Sequence, residues 1–139
     1  MLKIYVGCSL THAPQEFRDS VEELKGTLRT EFEVLDFVGL EKGSPHDVFA
    51  WDIDHCVATC DLFIAICDHP SLGLGYEMAA CVEAFQKPTL AVAHTDATIG
   101  RIILGITRPH FSFARYDSLL DDVPSMVRAF ALEHVRKAL

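Results

Sequence analysis

The sequence predicts an α/β fold, a parallel β-sheet with helices packed on both of its faces. Short apolar runs rich in strand-forming residues alternate with segments whose apolar residues recur every three or four positions. Such alternation requires crossover connections, which place helices on both faces of a parallel sheet. With 139 residues, half of them hydrophobic, the chain fits one domain, residues 1–139, with a single core.

The first half of the chain contains two predicted strands and two predicted helices. The strands are residues 3–6 and 33–37, and Pro14 suits the first turn of the helix between them. One stripe of that helix holds Phe17, Val21, Leu24 and Leu28. The second helix opens at Ser44-Pro45-His46-Asp47, a predicted N-cap with an acid at N3, and runs to about Cys60. Its predicted inward residues are Phe49, Ile53, Cys56, Val57 and Cys60.

The second half contains three more predicted strands, residues 62–67, Thr89–His94 and Phe111–Tyr116. A helix from about Gly73 follows the third strand, and a short helix near residues 99–106 follows the fourth. The third helix has a predicted apolar stripe of Met78, Cys81, Val82 and Phe85. A last amphipathic helix runs from about Val123 to the end. Five alternating strands suggest the flavodoxin-like order 2-1-3-4-5, a Rossmann-like three-layer sandwich.

This strand order predicts where a ligand would bind. The crevice of such a sheet lies beyond the carboxyl ends of strands 1 and 3, where the winding reverses. The loops after these strands are residues 7–12 and 68–75, which are rich in glycine, serine and histidine. We therefore expect the functional site between these two loops.

Charge and composition exclude several classes of function. The net charge is −8 with acids spread along the chain, so a nucleic acid polymer is not an expected partner. A small anion can still bind at backbone amides of a helix start. No apolar run approaches the length of a membrane span. Five cysteines, no CxxC pair and no signal-peptide pattern predict reduced thiols in a cytoplasmic protein without a zinc site.

Glu77 is the first candidate for chemistry. It lies early in the third helix, on a row of small apolar residues that continues through Ala80, Cys81 and Ala84. Aimed into the crevice, its carboxylate would be stabilised as an anion by the helix dipole and free amides, and would be an available nucleophile. The alternative is an acid that serves the helix dipole alone.

Ser9 and Ser71 each occupy a glycine-bearing turn between a strand and a helix. Ser71 could donate to a phosphate held at the start of the third helix, or it could be a simple cap. Unlike a Walker motif, this turn has no lysine, so hydrolysis of nucleoside triphosphates is disfavoured.

Three histidines, His12, His69 and His94, end strands or begin the following loops, and Asp68 lies beside one of them. Imidazole and carboxylate ligands suit zinc or iron, so a metal site for hydrolysis is conceivable. The spacing matches no known metal motif, however, and histidines are common in polar loops. The sequence therefore predicts no metal site.

Asp52 and Asp54 lie on the second helix. On a helical wheel Asp52 falls about 80° from the centre of the apolar face, and Asp54 about 120°. Asp52 is the better candidate to face the crevice, although either residue could be a solvated acid.

Several segments carry a resemblance to a known family. They are AICDHPSLGLGYEMA, Tyr5 within KIYVGCS, and an Asp-Ile pair before the CDLFIAI strand. Together they resemble the nucleoside 2-deoxyribosyltransferase superfamily, and most closely its hydrolytic branch, the 2′-deoxynucleoside 5′-monophosphate N-glycosidases, which carry a very similar PSLGxGYE loop. The resemblance covers most of the chain, from the first strand to about Tyr116.

The resemblance implies an enzyme, needing no cofactor, that cleaves the N-glycosidic bond of a deoxynucleoside or its 5′-monophosphate. Water as acceptor would give a hydrolase, and a second base a transferase. Glu77 would attack the sugar C1′, and Tyr5 would position its carboxylate. The residues expected to hold the substrate are Gly7, Ser9, Ser71, Gly73 and Gly75.

The chain departs from the family pattern in two places. An aspartate of the second helix assists catalysis in this family, but its usual spacing to strand 3 differs by one residue from both Asp52 and Asp54. A serine from a neighbouring subunit also reaches the phosphate, where this chain has Thr98-Ile99-Gly100-Arg101. Either Arg101 would substitute for it across a homodimer or larger homo-oligomer, or the preference for a 5′-phosphate would be weaker. The competing classes are a non-catalytic nucleotide-binding module and a metal-dependent hydrolase.

Overall fold

The computed structural model describes residues 1–138, with side chains for residues 1–134. Five strands form one sheet in the order β2-β1-β3-β4-β5, and every neighbouring pair is parallel. The strands are β1 Lys3–Cys8, β2 Glu33–Leu35, β3 Leu62–Ile66, β4 Thr89–His94 and β5 Phe111–Tyr116. The predicted α/β fold and strand order are confirmed.

Five helices connect and follow the strands. They are α1 Gln15–Leu28, α2 Pro45–Phe49 with its π-helical continuation Ala50–Val57, α3 Leu72–Ala79 with its π-helical continuation Ala80–Ala84, α4 Arg101–Leu104 and α5 Leu119–Ala138. None of the helices formed by residues 1–138 combines the length and the apolar composition that crossing a bilayer requires.

Some predicted boundaries were wrong. β1 extends to Cys8 and β2 ends at Leu35. α5 begins at Leu119 rather than near Val123. The cause is Asp122 Oδ2, which accepts hydrogen bonds from the backbone amides of Asp117 at 3.0 Å and Ser118 at 2.8 Å and so fixes the first turn. The predicted end of this helix at residue 139 lies outside the described residues, as does the side chain of Val135.

α2 begins with the predicted capping box. The Ser44 hydroxyl accepts from the Asp47 amide at 3.1 Å, and the Asp47 carboxylate accepts from the Ser44 amide at 3.0 Å. Phe49, predicted to point inward, is 44% exposed because this part of α2 borders a groove against α3 instead of covering the sheet. In the same way, Phe85 at the end of α3 is exposed rather than buried.

The sheet separates two layers of core, because alternate residues of each strand point to opposite faces. Ile4 and Val6 pack with the buried faces of α1 and α5, whereas Tyr5 and Phe63 pack with α2 and α3. Gly7 makes the second layer possible, since a Cβ there would lie 3.0 Å from the Phe63 ring. The layer between β1, α2 and α3 therefore supports the site described next.

Candidate active site

A cleft of about 610 Å³ lies between the loops that follow β1 and β3, at the predicted reversal of the winding. The loop after β2 and the start of α2 complete its walls. The lining residues are Cys8, Ser9, Leu10, Thr11, His12, Gly39, Leu40, Val48, Asp52, Pro70, Ser71, Leu72, Gly73, Leu74 and Glu77.

Glu77 lines this cleft from α3 and is partly buried. Burial raises the pKa of its carboxyl to about 7, with a further rise from Asp52 and a partial offset from the Tyr5 hydroxyl. The expectation that the helix start would stabilise the anion was therefore wrong. α3 begins after the N-cap Ser71, so Glu77 lies beyond the first turn, where free amides and the dipole act.

Tyr5 lies on β1 beneath Glu77 and has no exposed surface. Its ring stacks on Phe63 with centroids 5.3 Å apart. Burial and the neighbouring Glu77 charge both raise the pKa of the phenol, so Tyr5 stays protonated and can serve as a donor. Within residues 1–134, neither the Tyr5 hydroxyl nor Glu77 Oε2 completes a hydrogen bond.

Asp52 reaches the same cleft from α2, whereas Asp54 is exposed and does not line it. Asp52 Oδ1 accepts a hydrogen bond from the Val38 amide at 3.1 Å. Burial raises the pKa of Asp52, and the Val38 amide and the more distant Lys25 partly oppose that rise. The structure thus brings Asp52 and Glu77 to one cavity from two neighbouring helices.

Ser71 is the N-cap of α3, and its hydroxyl oxygen accepts from the Leu74 amide at 3.0 Å. The cap uses only a lone pair, so the O–H hydrogen remains available to a ligand. Gly73 lines the cleft beside it. Gly75 instead lines a separate cavity of about 160 Å³, and its amide donates to the Ser71 carbonyl at 3.1 Å.

Three other predicted binding residues have different surroundings. Ser9 lines the cleft, but its buried hydroxyl donates to the Pro70 carbonyl at 3.1 Å and so joins the two cleft loops. Gly7 does not line the cleft and serves the packing of Phe63. Arg101 is exposed at the start of α4, outside the cleft.

The histidines of the sequence analysis are not gathered around one point. His12 lines the cleft, while His69 packs edge-on against Phe17 with centroids 4.7 Å apart. Asp68 accepts hydrogen bonds from the Tyr116 hydroxyl and from the His94 amide. Among the described residues, no three or more histidine, cysteine, aspartate or glutamate side chains form a group that could hold a metal ion.

Two curated proteins show what the chain is similar to. A protein of Thermofilum pendens is 30% identical over 114 residues, which cover 78% of each chain. One of Syntrophotalea carbinolica is 33% identical over 81 residues, 58% of this chain and only 56% of that protein. Each is named "Putative 2'-deoxynucleoside 5'-phosphate N-hydrolase 1". This chain belongs to the 2′-deoxynucleoside 5′-phosphate N-hydrolase family, within the nucleoside 2-deoxyribosyltransferase superfamily.

One solved structure shares the fold of this chain. A Clostridium botulinum CMP N-glycosidase superposes with a TM-score of 0.68 over 90% of this chain and 98% of its own, at 22% identity. No protein-family model matches the chain.

One wall of this cleft was not predicted from the sequence. Leu40 lines it from the loop between Gly39 and Gly43, whose φ angles of 94° and 77° are in the left-handed region that glycine tolerates best. The available signal was an apolar residue between two glycines in an otherwise polar loop. Trp51, which donates from α2 to the Asp36 carbonyl at 2.7 Å, was not predicted either.

Proposed function

We propose that this N-hydrolase relative cleaves the N-glycosidic bond of 2′-deoxynucleoside 5′-monophosphates, or of deoxynucleosides, and releases the free base. The observation that carries the proposal is the partly buried Glu77 carboxylate, which lines the cleft with one oxygen unpartnered within residues 1–134. The names of the two curated relatives support the same activity.

In the proposed mechanism, Glu77 forms a covalent intermediate. An ionised carboxylate oxygen bonds to C1′ as the C1′–N bond breaks, and the base leaves with the electron pair and takes up a proton. Water then attacks C1′, loses a proton and releases the Glu77 carboxylate, so the configuration at C1′ is retained. A 2′-deoxy sugar favours this path, since no 2′-hydroxyl destabilises the oxocarbenium-like transition state.

Two neighbours of Glu77 assist in this scheme. Tyr5 donates its proton toward the carboxylate and orients it, a role that fits the raised pKa of its phenol. Asp52 exchanges the proton with the leaving base and the attacking water. Its pKa is raised by burial, which favours proton exchange nearer neutral pH.

The 5′ end of the substrate would lie at the start of α3. There the Ser71 O–H and the Gly73 amide can donate to phosphate oxygens, and the helix dipole favours an anion. Ser9 would act indirectly, by holding the Pro70 carbonyl and hence the loop before Ser71. No metal or other cofactor enters the scheme.

A transferase is the second candidate. The same intermediate would exchange bases if a second base replaced water. A groove of about 350 Å³ shares Asp52, Gly73 and Glu77 with the cleft, and Phe49 and Tyr76 stand in its walls with ring centroids 6.1 Å apart. This groove is the observation that favours a second substrate.

We also propose a homodimer in the cytoplasm. Leu72 at the cleft mouth is 97% exposed and Ile102 beside Arg101 is 82% exposed, apolar surface that a second copy would cover. Five free cysteines fit a reducing compartment. If Arg101 completes the partner's site, mixing inactive Glu77→Ala and Arg101→Ala chains should restore part of the activity. No recovery after verified subunit exchange would place Arg101 outside the site.

One experiment tests the reaction class. The protein is incubated with deoxynucleosides and their monophosphates, with and without a second free base, and the products are separated by chromatography. Free base and free sugar phosphate indicate the hydrolase, and an exchanged nucleoside indicates the transferase. Binding without any release of base would indicate a non-catalytic nucleotide-binding module. Activity that is lost with a chelator and restored by zinc would indicate a metal-dependent hydrolase.

A further inference from the structure

We propose that Trp51 is a positioning residue, which holds the segment after β2 against α2 and thereby keeps Asp52 directed into the cleft. The expected effect on rate rests on the proposed function, whereas the structural part of the proposal does not.

Two consecutive side chains of α2 bind the same short stretch of backbone. Trp51 Nε1 donates to the Asp36 carbonyl at 2.7 Å, and Asp52 Oδ1 accepts from the Val38 amide at 3.1 Å. Both residues lie in the π-helical segment Ala50–Val57. One side chain therefore binds a carbonyl and the next an amide, so the segment after β2 is held at two points.

The bond to Val38 fixes the direction of the Asp52 carboxylate. It occupies one carboxylate oxygen and leaves the other for the cleft that Asp52 lines. Should the Val38 amide shift, Asp52 would lose its fixed rotamer together with the contact that partly opposes the rise in its pKa. The position of this amide is thus part of the site.

Trp51, through its hydrogen bond to the Asp36 carbonyl, is placed to keep the Val38 amide in position. The chain continues from Val38 directly into Gly39 and Leu40, which line the cleft. On the other side, the Asp36 side chain binds Arg29, the C-cap residue of α1, at 2.6 Å, which ties the segment to the end of α1 but not to α2. Besides the Asp52 bond itself, the Trp51 bond ties the segment to α2, assisted by Cys56 Sγ at 3.5 Å from the same carbonyl.

Burial of the indole does not account for this residue. Trp51 is 44% exposed, and its ring lies against His55 with centroids 4.2 Å apart. Phenylalanine would keep an aromatic ring at that contact and remove only the N–H donor. Trp51→Phe therefore isolates the hydrogen bond to Asp36.

The test combines Trp51→Phe with Asp52→Asn, alone and together, and uses Thr59→Val as the matched control. Thr59, two residues beyond Val57, also donates to a backbone carbonyl, that of His55 in α2 at 2.6 Å, but its hydroxyl does not bind the segment after β2. Amide exchange at Val38 reports the position of the segment, and the rate of base release reports the site.

Trp51→Phe should speed Val38 exchange and lower kcat by about 10- to 100-fold with little change in KM, because a small displacement of a catalytic group is costly. In the Asp52→Asn background the same change should cost less than about twofold, since both variants act through Asp52. Thr59→Val should alter neither reading.

Unchanged Val38 exchange in Trp51→Phe would overturn the proposal whatever the activity. An equal loss of rate in both backgrounds would also overturn it, because a general loss of folded protein acts equally in both. If the wild-type protein releases no base, the proposed function fails, and Val38 exchange alone decides whether Trp51 positions Asp52.

Discussion

The two faces of the sheet each bury an ionisable side chain, Lys25 on one face and Glu77 on the other, but the partners of these side chains differ. On the α1 side the Lys25 side chain is 1% exposed, with its Nζ 3.0 Å from Glu22 Oε1, 3.5 Å from Asp36 Oδ1 and 3.7 Å from the centre of the Phe37 ring. On the α3 side, neither Glu77 Oε2 nor the Tyr5 hydroxyl completes a hydrogen bond among the described residues.

This difference separates a buried charge that its neighbours compensate from one that they compensate only in part. A buried charge is tolerated when ion pairs and aromatic faces replace its hydration, as they do around Lys25. Around Glu77 only the Tyr5 hydroxyl partly offsets the effect of burial, and the pKa is raised to about 7. Buried polar groups left unpartnered are uncommon and concentrate where a ligand completes them. The α3 face therefore gives up stability at Glu77, the carboxylate that the proposed function makes the nucleophile.

The two faces of the sheet also differ in the kinds of side chains that pack on them. Branched aliphatic side chains dominate the α1 and α5 face. The other face holds Tyr5, Phe63, Met78 and three cysteines, and both of its long helices contain π-helical segments. Such segments recur at functional sites.

The largest expected effect is on catalysis by Glu77→Gln. This change keeps the shape and removes the nucleophile, so base release should fall on the order of 10³-fold or more. Glu83→Gln is the matched control, because Glu83 lies on the same helix, is exposed, and pairs with Arg108 at 2.9 Å instead of entering the cleft. Steady-state kinetics measure both.

A slow substrate should also leave its deoxyribosyl mass on the Glu77 peptide of the wild-type protein, as seen by mass spectrometry. Near-normal turnover in Glu77→Gln would eliminate the covalent mechanism and leave the unpartnered carboxylate without a role.

The next effect concerns the phosphate. Ser71→Ala should remove about 1–3 kcal/mol of the kcat/KM advantage of monophosphates over nucleosides, the value of a hydrogen bond to a charged group. Ser44→Ala removes a comparable cap, that of α2, without touching the start of α3. It should lose similar stability and keep the monophosphate preference. Equal wild-type rates on both substrates would exclude the phosphate site.

A third prediction concerns stability against pH. The folded pKa of Glu77 is raised from 4.5 to about 7, so the folded state binds this proton more tightly than the unfolded chain does. Stability therefore falls as pH rises from about 4.5 to about 7. Glu77→Gln lacks this penalty and should be more stable than wild type by about 1–3 kcal/mol at pH 8. Denaturant unfolding at several pH values measures the difference.

The gain from Glu77→Gln should shrink as pH falls through 7 and vanish below about 4.5, where both chains carry a neutral side chain. A constant difference across this range would mean that the burial of Glu77 carries no electrostatic cost.

The smallest effect is expected for Lys25→Met. Glu22 and Asp36 are more than half exposed and remain hydrated without the ammonium, and Arg29 still pairs with Asp36 at 2.6 Å. Replacing a buried ion by an apolar side chain of similar length should change the unfolding free energy by less than about 1 kcal/mol. Lys25→Ala should cost more, because it also removes the packed methylenes. A loss of about 3 kcal/mol in Lys25→Met would show that the ion pairs themselves hold this face together.

Features encoded locally could be predicted from the sequence. The strand order followed from alternation of periodic segments, and the capping box at Ser44 and Asp47 from four adjacent residues. The position of the cleft followed from the strand order alone. Asp52 was preferred over Asp54 from its place on the helix, and it lines the cleft.

Features set by distant neighbours could not be predicted. The Ser9 hydroxyl binds the Pro70 carbonyl, a contact between loops 61 residues apart in sequence. The rise in the Glu77 pKa depends on burial by several elements, which outweighed the local rule about helix starts. A π-helical turn differs from an α-helical one by a single residue, so periodicity does not distinguish them over one helix.

The π-helical segment of α2 also bears on how such proteins should be aligned. A turn that closes from residue i to i+5 holds one residue more than an α-helical turn, so a homologue with one residue fewer can form a regular helix there. Its flanking strands and its cleft aspartate would stay in place. Insertions inside helices are usually penalised in alignment, yet we expect a single-residue gap between Ala50 and Val57 to leave the surrounding fold unchanged. Residues paired across that gap should be matched by their position in space, not by their count from β3.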